Sequence, residues 1–163
     1  MSDIEYIIEM PDWSDYFIST FGNVYSEKSG EMVKLKPGKD KGGYLNVKLR
    51  KEGKSYTKRI HRLVAETLIK RIKGKNEIDH INQIKTDNTV ENLRWVNKRE
   101  NSINKGLQNN NKSGVKGVSY DNYYNKWRGE INISKGKRKR KYFKSKEDAI
   151  KWREDMETKY YVI

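Results

Sequence analysis

Residues 78–104 read IDHINQIKTDNTVENLRWVNKRENSIN, and the order of patterns in this stretch sets the fold around it. Ile78 leads into an Asp79-His80 pair, and a loop rich in turn formers follows. Glu91-Asn92-Leu93 then opens a second run through Trp95 and Val96, and an Asn-rich segment comes last. The spacing predicts strand, loop, strand, helix. At the end of the first strand, adjacent residues escape strict face alternation because the chain is leaving the sheet, so Asp79 and His80 can serve one site. Asn97 is the predicted N-cap, and Glu100 three residues on completes a capping box, which puts Asn101 in the first turns of that helix. A carboxylate, an imidazole and a carboxamide are thereby drawn towards one small volume.

That inventory suits hydrolysis of a phosphodiester by one metal ion. The reaction needs an activated water, stabilisation of charge on the phosphorus oxygens and help for the leaving alkoxide. A hard cation held by oxygen ligands, Asp79 and the side-chain oxygen of Asn101, could supply the last two. His80 could take the proton from water, because an imidazole titrates near neutral pH. Asn92 could hydrogen-bond across the hairpin and hold the loop, and with it the imidazole.

On IDH at 78–80, DN at 87–88, ENLR at 91–94 and KREN at 98–101, the stretch resembles the HNH nucleases of ββα-metal fold, particularly the homing endonucleases of phages and introns. The resemblance implies Asp79 as metal ligand, His80 as general base, Asn92 as the structural middle residue of the motif and Asn101 as second metal ligand. It also implies one divalent ion, Mg2+ or Mn2+, as cofactor. The family's last position is often His; here it is Asn101, a pattern also seen among phage homing members. Asn97 and Asn104 lie one turn either side of Asn101 on the same helical face, so the family spacing alone selects Asn101.

The 163 residues carry 36 Lys and Arg against 22 acidic residues, a formal charge of +14. On so short a chain this points to a polyanion, most simply nucleic acid. An aromatic content of 11%, mostly Tyr and Trp, argues against a disordered basic tail. With no cysteine, disulfides and Cys-ligated zinc are excluded, and two histidines, His61 and His80, are too few for a closed structural zinc site. The first residues are acidic and too short in apolar character for a signal peptide, and no apolar run is long enough to span a bilayer. The expected location is cytoplasmic, the host's cytoplasm if the chain is phage-encoded, with no membrane partner.

Residues 1–56 read as short strands and turns, a β-rich module. YFIS at 16–19 and NVYS at 23–26 flank Phe21-Gly22, and in YLNVKLR at 44–50 Leu45, Val47 and Leu49 alternate with Asn46, Lys48 and Arg50. The segment from Trp13 to Arg50 resembles the nuclease-associated module that precedes HNH domains in phage endonucleases. That likeness implies DNA contact beside the cleavage site through Lys48 and Arg50. In residues 57–105, assigned to the nuclease, the run from Arg59 to Ile72 has one apolar helical face (Ile60, Leu63, Val64, Leu68, Ile69, Ile72) and predicts a helix with Gly74 beyond its end. His61 at its start is read as structural, with a phosphate contact as the other reading.

Residues 106–113, with few apolar side chains and an Asn run, read as a linker. From 114 to 163 three strand candidates, VKGVSYD, KWRGEINI and KRKRKYFKS, precede an amphipathic helix with Ser145 as N-cap. GVKGVSYD at 114–121, KWRGEI at 126–131, YF at 142–143 and the EDAIKW helix resemble the plant ethylene-response-factor (apetala-type) DNA-binding domain. The resemblance implies a sheet laid in the major groove, where Arg pairs with guanine edges and Lys meets phosphates. Lys116, Tyr120, Trp127, Arg128, Lys137, Arg138 and Arg140 are the candidates. The uniformly basic KGKRKRK departs from the plant pattern towards phosphate contact.

The chain is thus read as a modular α+β protein: a β-rich N-terminal module, a ββα-metal nuclease, a linker, and a three-stranded antiparallel sheet packed on one helix. The expected activity is site-selective, metal-dependent cleavage of double-stranded DNA of the homing type, one strand per active site, by a monomer or weak dimer. Two other classes remain beside it: a regulatory or architectural DNA-binding protein with an inactive HNH unit, and an RNA-directed protein using Tyr120, Tyr123, Tyr124 and Trp127 for stacking.

Overall fold

The computed structural model describes residues 4–107, 110–134 and 136–161. The chain is a mixed α/β structure of several small sheets and helices, in two compact units, Met1–Asn104 and Lys105–Ile163. Among the described residues no helix is long and apolar enough to cross a membrane.

The first unit opens with β1 (Ile7–Met10), β2 (Trp13–Ser19), β3 (Val24–Ser26) and β4 (Val33–Lys34), hydrogen-bonded in that order into one antiparallel sheet. A second antiparallel sheet follows: β5 (Gly38–Lys39), β6 (Leu45–Lys51) and β7 (Lys54–Arg59). Alternation works as expected in β6: Val47 and Leu49 are buried while Lys48 and Arg50 are exposed. Then come helix α1 (Ile60–Leu68), the hairpin β8 (Glu77–His80) and β9 (Leu93–Val96), and helix α2 (Lys98–Asn104). One hydrophobic cluster unites Met10, Tyr16, Ile18 and Val24 of the first sheet with Val47 and Leu49, with Ile60, Leu63 and Val64 of α1, and with Leu93 of β9. The elements on either side of residue 56 therefore share a core.

Helix α1 is shorter than its apolar periodicity predicts. It ends at Leu68, Ile69 is already extended (φ −112, ψ 119), and Ile72 is exposed. The Ile69 carbonyl accepts the Trp95 indole N–H at 3.1 Å, a partner from β9 that occupies the group a continuing helix would use. At α2 the local reading holds: the Asn97 side-chain oxygen accepts from the N–H groups of Arg99 and Glu100 at 2.9 and 3.0 Å, and Glu100 accepts from the Asn97 N–H at 2.9 Å.

The second unit holds β10 (Val118–Asp121), β11 (Lys126–Ser134) and β12 (Lys137–Phe143) in one antiparallel sheet, followed by α3 (Lys146–Tyr160). Ser145 caps α3 by accepting from the Asp148 N–H at 3.1 Å. Gly129 brings β11 against the helix: a Cβ there would lie 2.5 Å from the Trp152 ring. Asn111 and Ser113, read as linker, are tied into this unit. The buried Ser113 hydroxyl contacts the Val118 carbonyl at 2.6 Å, and Asn111 accepts from the Gly114 N–H at 2.7 Å. Residues 108 and 109 of the expected linker lie outside the described residues.

Candidate active site

Strand β8 ends where α2 crosses it, and this crossing builds the site. Asp79 is buried at 6% exposure, and both of its carboxylate oxygens are engaged. Oδ2 accepts from Arg94 Nε and Nη2 at 3.0 and 2.9 Å, from the directly paired position on β9. Oδ1 accepts the carboxamide N–H of Asn104 at 2.9 Å, and the same Asn104 nitrogen donates to the His80 carbonyl at 2.9 Å.

His80 is equally buried, with Nε2 3.2 Å from Oδ1 of buried Asn88. Where the Asn88 carboxamide oxygen accepts from Nε2, Nδ1 is left as the basic atom of the ring. Asn88 is held from behind by the β2–β3 turn. A Cβ on Gly22 (φ +75) would lie 2.7 Å from the Asn88 Cβ and carbonyl oxygen, and the Thr20 carbonyl accepts the Val90 N–H at 2.8 Å.

Asn92 ties down the loop that leaves His80. Its side chain accepts the Asn82 N–H at 2.9 Å and donates to the Asp87 carbonyl at 2.8 Å, and its own carbonyl accepts the Ile81 N–H at 2.8 Å. Within the same loop burial pushes the Asp87 carboxyl up, but hydrogen bonds from Thr89 and Asn82 outweigh it and hold the group below the usual range.

Two residues outside the nominated set stand against His80. The rings of His61 and His80 lie 5.2 Å apart, and Tyr44 is 5.0 Å from His61 and 6.0 Å from His80. His61 is buried with Nδ1 unpartnered among the described residues, and burial first, then the electrostatic influence of the neighbouring His80 ring, lowers its pKa to about 4. The Arg59 guanidinium and Lys85 ammonium lie over the Tyr44 ring at 4.7 and 5.0 Å. No local sequence pattern joins these positions; only the sheet–helix packing does.

Asp79 and His80 end β8 and Asn92 ties the loop that leaves them, while Asn101 is engaged elsewhere: its carboxamide donates to the Glu77 carboxylate. Asn104, one turn on, is the α2 residue in contact with Asp79. Its signal in the sequence is the shared helical face with Asn101.

The nominated basic residues fall into separate sets. Lys48 and Arg50 lie on the exposed side of β6. In the second unit Arg128, Arg138 and Arg140 share the face of the sheet turned away from α3. Glu130 between them pairs with Arg138 at 3.2 Å and Arg140 at 2.8 Å, while Arg128 pairs with Asp121 at 3.6 Å. Tyr120 and Trp127 stack edge to face at 5.4 Å on the opposite side, the side of Gly129 and Ile131. Lys137 opens β12 and is exposed. Lys116 is turned inward: its ammonium donates to the Lys105 carbonyl at 2.9 Å, and burial lowers its pKa.

Among the described residues no group of three or more His, Cys, Asp or Glu side chains is placed to hold a metal ion. The side chains at the β8–α2 crossing, the Asp79 and Glu77 carboxylates and the Asn101 and Asn104 carboxamides, each carry oxygen and so are of the chemistry that suits a hard divalent ion such as Mg2+ or Mn2+, with the carboxamide nitrogens facing the carboxylates in this structure.

A hairpin and crossing helix carrying Asp-His, Asn and Asn is the pattern of the HNH class, and residues 58–103 match the family model for HNH endonuclease. The chain is 36% identical over 112 residues to the DNA endonuclease I-HmuI of Bacillus phage SP01, covering 63% of each chain. It is 38% identical over 112 residues to the uncharacterized HNH endonuclease L247 of Acanthamoeba polyphaga mimivirus, covering 67% of this chain and 27% of that one. To the H-N-H endonuclease F-TflII of Escherichia phage T5 it is 27% identical over 115 residues, 69% of this chain and 58% of that one. A solved structure described as DNA binding and cleavage by the HNH homing endonuclease I-HmuI superposes with a TM-score of 0.55 at 36% identity, covering 61% of this chain and 56% of that chain. The chain thus spans less than two thirds of the length of each of these proteins. The hairpin–helix segment groups with the HNH endonucleases.

Proposed function

We propose that this chain is a divalent-metal-dependent DNA endonuclease of the homing type, which hydrolyses one phosphodiester per active site. The observation that carries the reading is the convergence of α2 carboxamides and the Asn88-oriented His80 on the end of β8, within a segment that matches the HNH family. Asp79 and a carboxamide of α2, Asn101 by family spacing, would hold Mg2+ or Mn2+. When bound, the ion supplies charge stabilisation at the phosphate and the leaving oxygen.

The chain's own residues do the rest. Asn88 sets the His80 tautomer, so that Nδ1 accepts the proton of the attacking water. Asn92 holds the loop that carries Asn88, and Arg94 fixes the orientation of the Asp79 carboxylate. Lys48 and Arg50 of the first unit, and Arg128, Lys137, Arg138 and Arg140 of the second, supply cationic contacts to duplex DNA. In the apetala-type reading, the open sheet face with its Glu130–arginine pairs meets the major groove. With one base and one cation site, a monomer cuts one strand, and a double-strand break needs a second copy or a second event.

The test uses duplex DNA with each strand labelled in turn. Cleavage confined to one strand, dependent on added Mg2+ or Mn2+ and abolished by chelator, is expected. Equal cutting of both strands by a strictly monomeric protein in one binding event would overturn the nicking mechanism, and cutting that persists in chelator would overturn the metal dependence.

A further inference from the structure

A cluster of charge stands beside His80, drawn from three places in the chain: the turn between β5 and β6, the end of β7, and the loop between β8 and β9. Asp40 closes the turn, its N–H donating to the Tyr44 carbonyl at 2.9 Å and its Oδ1 accepting the Tyr44 N–H at 3.0 Å. The turn thereby holds the half-buried Tyr44 ring 5.0 Å from His61 and 6.0 Å from His80. The Arg59 guanidinium lies over that ring at 4.7 Å and is held there by Asp40 Oδ2, which accepts from Nε at 2.9 Å and Nη2 at 2.8 Å. The Lys85 ammonium lies over it at 5.0 Å and donates to the Gly42 carbonyl at 2.8 Å, so the loop that leaves His80 is fastened to the same turn.

Two cations at one ring repel each other, and Asp40 neutralises only one of them. The ring attracts both but removes none of the surplus charge. Both side chains are exposed, and neither is fully used: Asp40 takes Nε and Nη2 of the guanidinium and leaves Nη1, and the Gly42 carbonyl takes one of three ammonium hydrogens. An anion touching both would relieve the repulsion and take up the remaining donors. The position says which anion. Each cation is no farther from the His80 ring than its distance to Tyr44 and the Tyr44–His80 distance laid end to end. A DNA strand advances about 3.4 Å per nucleotide, so the pair stands within about three nucleotides of a bond cut beside His80.

Resting on the nuclease reading above, we propose that Arg59 and Lys85, carried on the Tyr44 ring, grip a backbone phosphate that flanks the scissile one on the cut strand. They are positioning residues: the phosphate they hold does not react, and holding it sets the register of the strand against His80. A phosphate carries no base identity, so the grip acts on any sequence and leaves site selection to other contacts. Lys85 meets the phosphate as a point charge and Arg59 as one arm of a fork whose other arm is fixed on Asp40.

The experiment neutralises each phosphate within three nucleotides of the scissile one in turn, one methylphosphonate per duplex, and measures single-turnover cleavage by subsaturating full-length protein with Mg2+ or Mn2+. One position is expected to slow the wild type about tenfold, the loss of a charge-assisted contact. In Lys85→Ala the penalty at that position should shrink to about threefold, and in the double variant Lys85→Ala, Arg59→Ala it should vanish, while penalties at the other positions stay as in the wild type. A side chain with a merely structural role would slow cleavage without erasing the penalty at one phosphate. A penalty as large in the variants as in the wild type, or no sensitive phosphate at all, overturns the grip and leaves the nuclease reading intact. A wild type that binds duplex DNA and cuts none of it overturns both. Circular dichroism separates loss of the contact from loss of fold, and the exposed Lys85→Ala alone carries the test where the double variant fails to fold.

Discussion

His61 should make the first unit's stability depend on pH in a direction that can be worked out beforehand. Its pKa is lowered from 6.5 to about 4, first by burial and next by the potential of His80. Between those values the unfolded chain binds a proton that the folded chain refuses, so stability is fully present above the unfolded pKa and falls as pH drops towards the folded one. From pH about 7.5 to about 4.5, with 1.36 kcal/mol per unit of pKa difference, the loss assigned to this side chain is about 2–3 kcal/mol. His61→Gln cannot titrate and should remove that part of the slope. The assay is urea unfolding of the wild type and His61→Gln at both pH values, followed by fluorescence; the C-terminal unit is common to both proteins and cancels in the difference. Equal pH dependence in the two proteins, within about 0.5 kcal/mol, would refute the claim that His61 is buried and neutral.

Other consequences are equally specific. Asn92→Ala leaves the Asn82 N–H and the Asp87 carbonyl without their partner and should cost about 1–3 kcal/mol in urea unfolding, with a larger proportional loss of cleavage because the loop also carries Asn88. Gly22→Ala, at φ +75 and 2.7 Å from Asn88, should destabilise by about 1–3 kcal/mol and slow cleavage at saturating DNA while leaving DNA affinity unchanged. An unaltered cleavage rate would separate the β2–β3 turn from the site. Arg138→Ala with Arg140→Ala should weaken DNA binding and reduce the slope of log affinity against log salt by about 1–2, read by fluorescence anisotropy across a salt series. An unchanged slope would remove the open sheet face from the DNA contact.

Much of this was legible wherever the physics is local. The capping box of Asn97 and Glu100 involves residues three apart, and it forms as read. Alternation places Val47 and Leu49 inward because a strand's period of two is a property of the strand itself. What escaped reading depends on partners distant in sequence. The end of α1 is decided by the Trp95 indole, which no helix periodicity encodes. Asn88 and Asn104 look like ordinary turn and helix polar residues until the fold sets one against His80 and the other against Asp79. His61 lies far from His80 in sequence, and only the packing of α1 beneath the hairpin joins their rings. The basic run of β12 could not reveal that Glu130 occupies two of its arginines, nor that Trp127 and Tyr120 face the other side of the sheet. Lys116 reads as an open cation in sequence yet is spent on a backbone carbonyl.

The role of His80 as the base of a metal-dependent nuclease is tested most directly on supercoiled DNA. Supercoiled plasmid is incubated with wild type and with His80→Ala, each with Mg2+, with Mn2+ and with chelator, and the binding of both proteins to the same DNA is measured alongside. Conversion to open circle by the wild type with metal only, and none by His80→Ala despite equal binding, is the predicted result. Equal cleavage by His80→Ala, or no cleavage by a wild-type protein that binds the DNA, would contradict it.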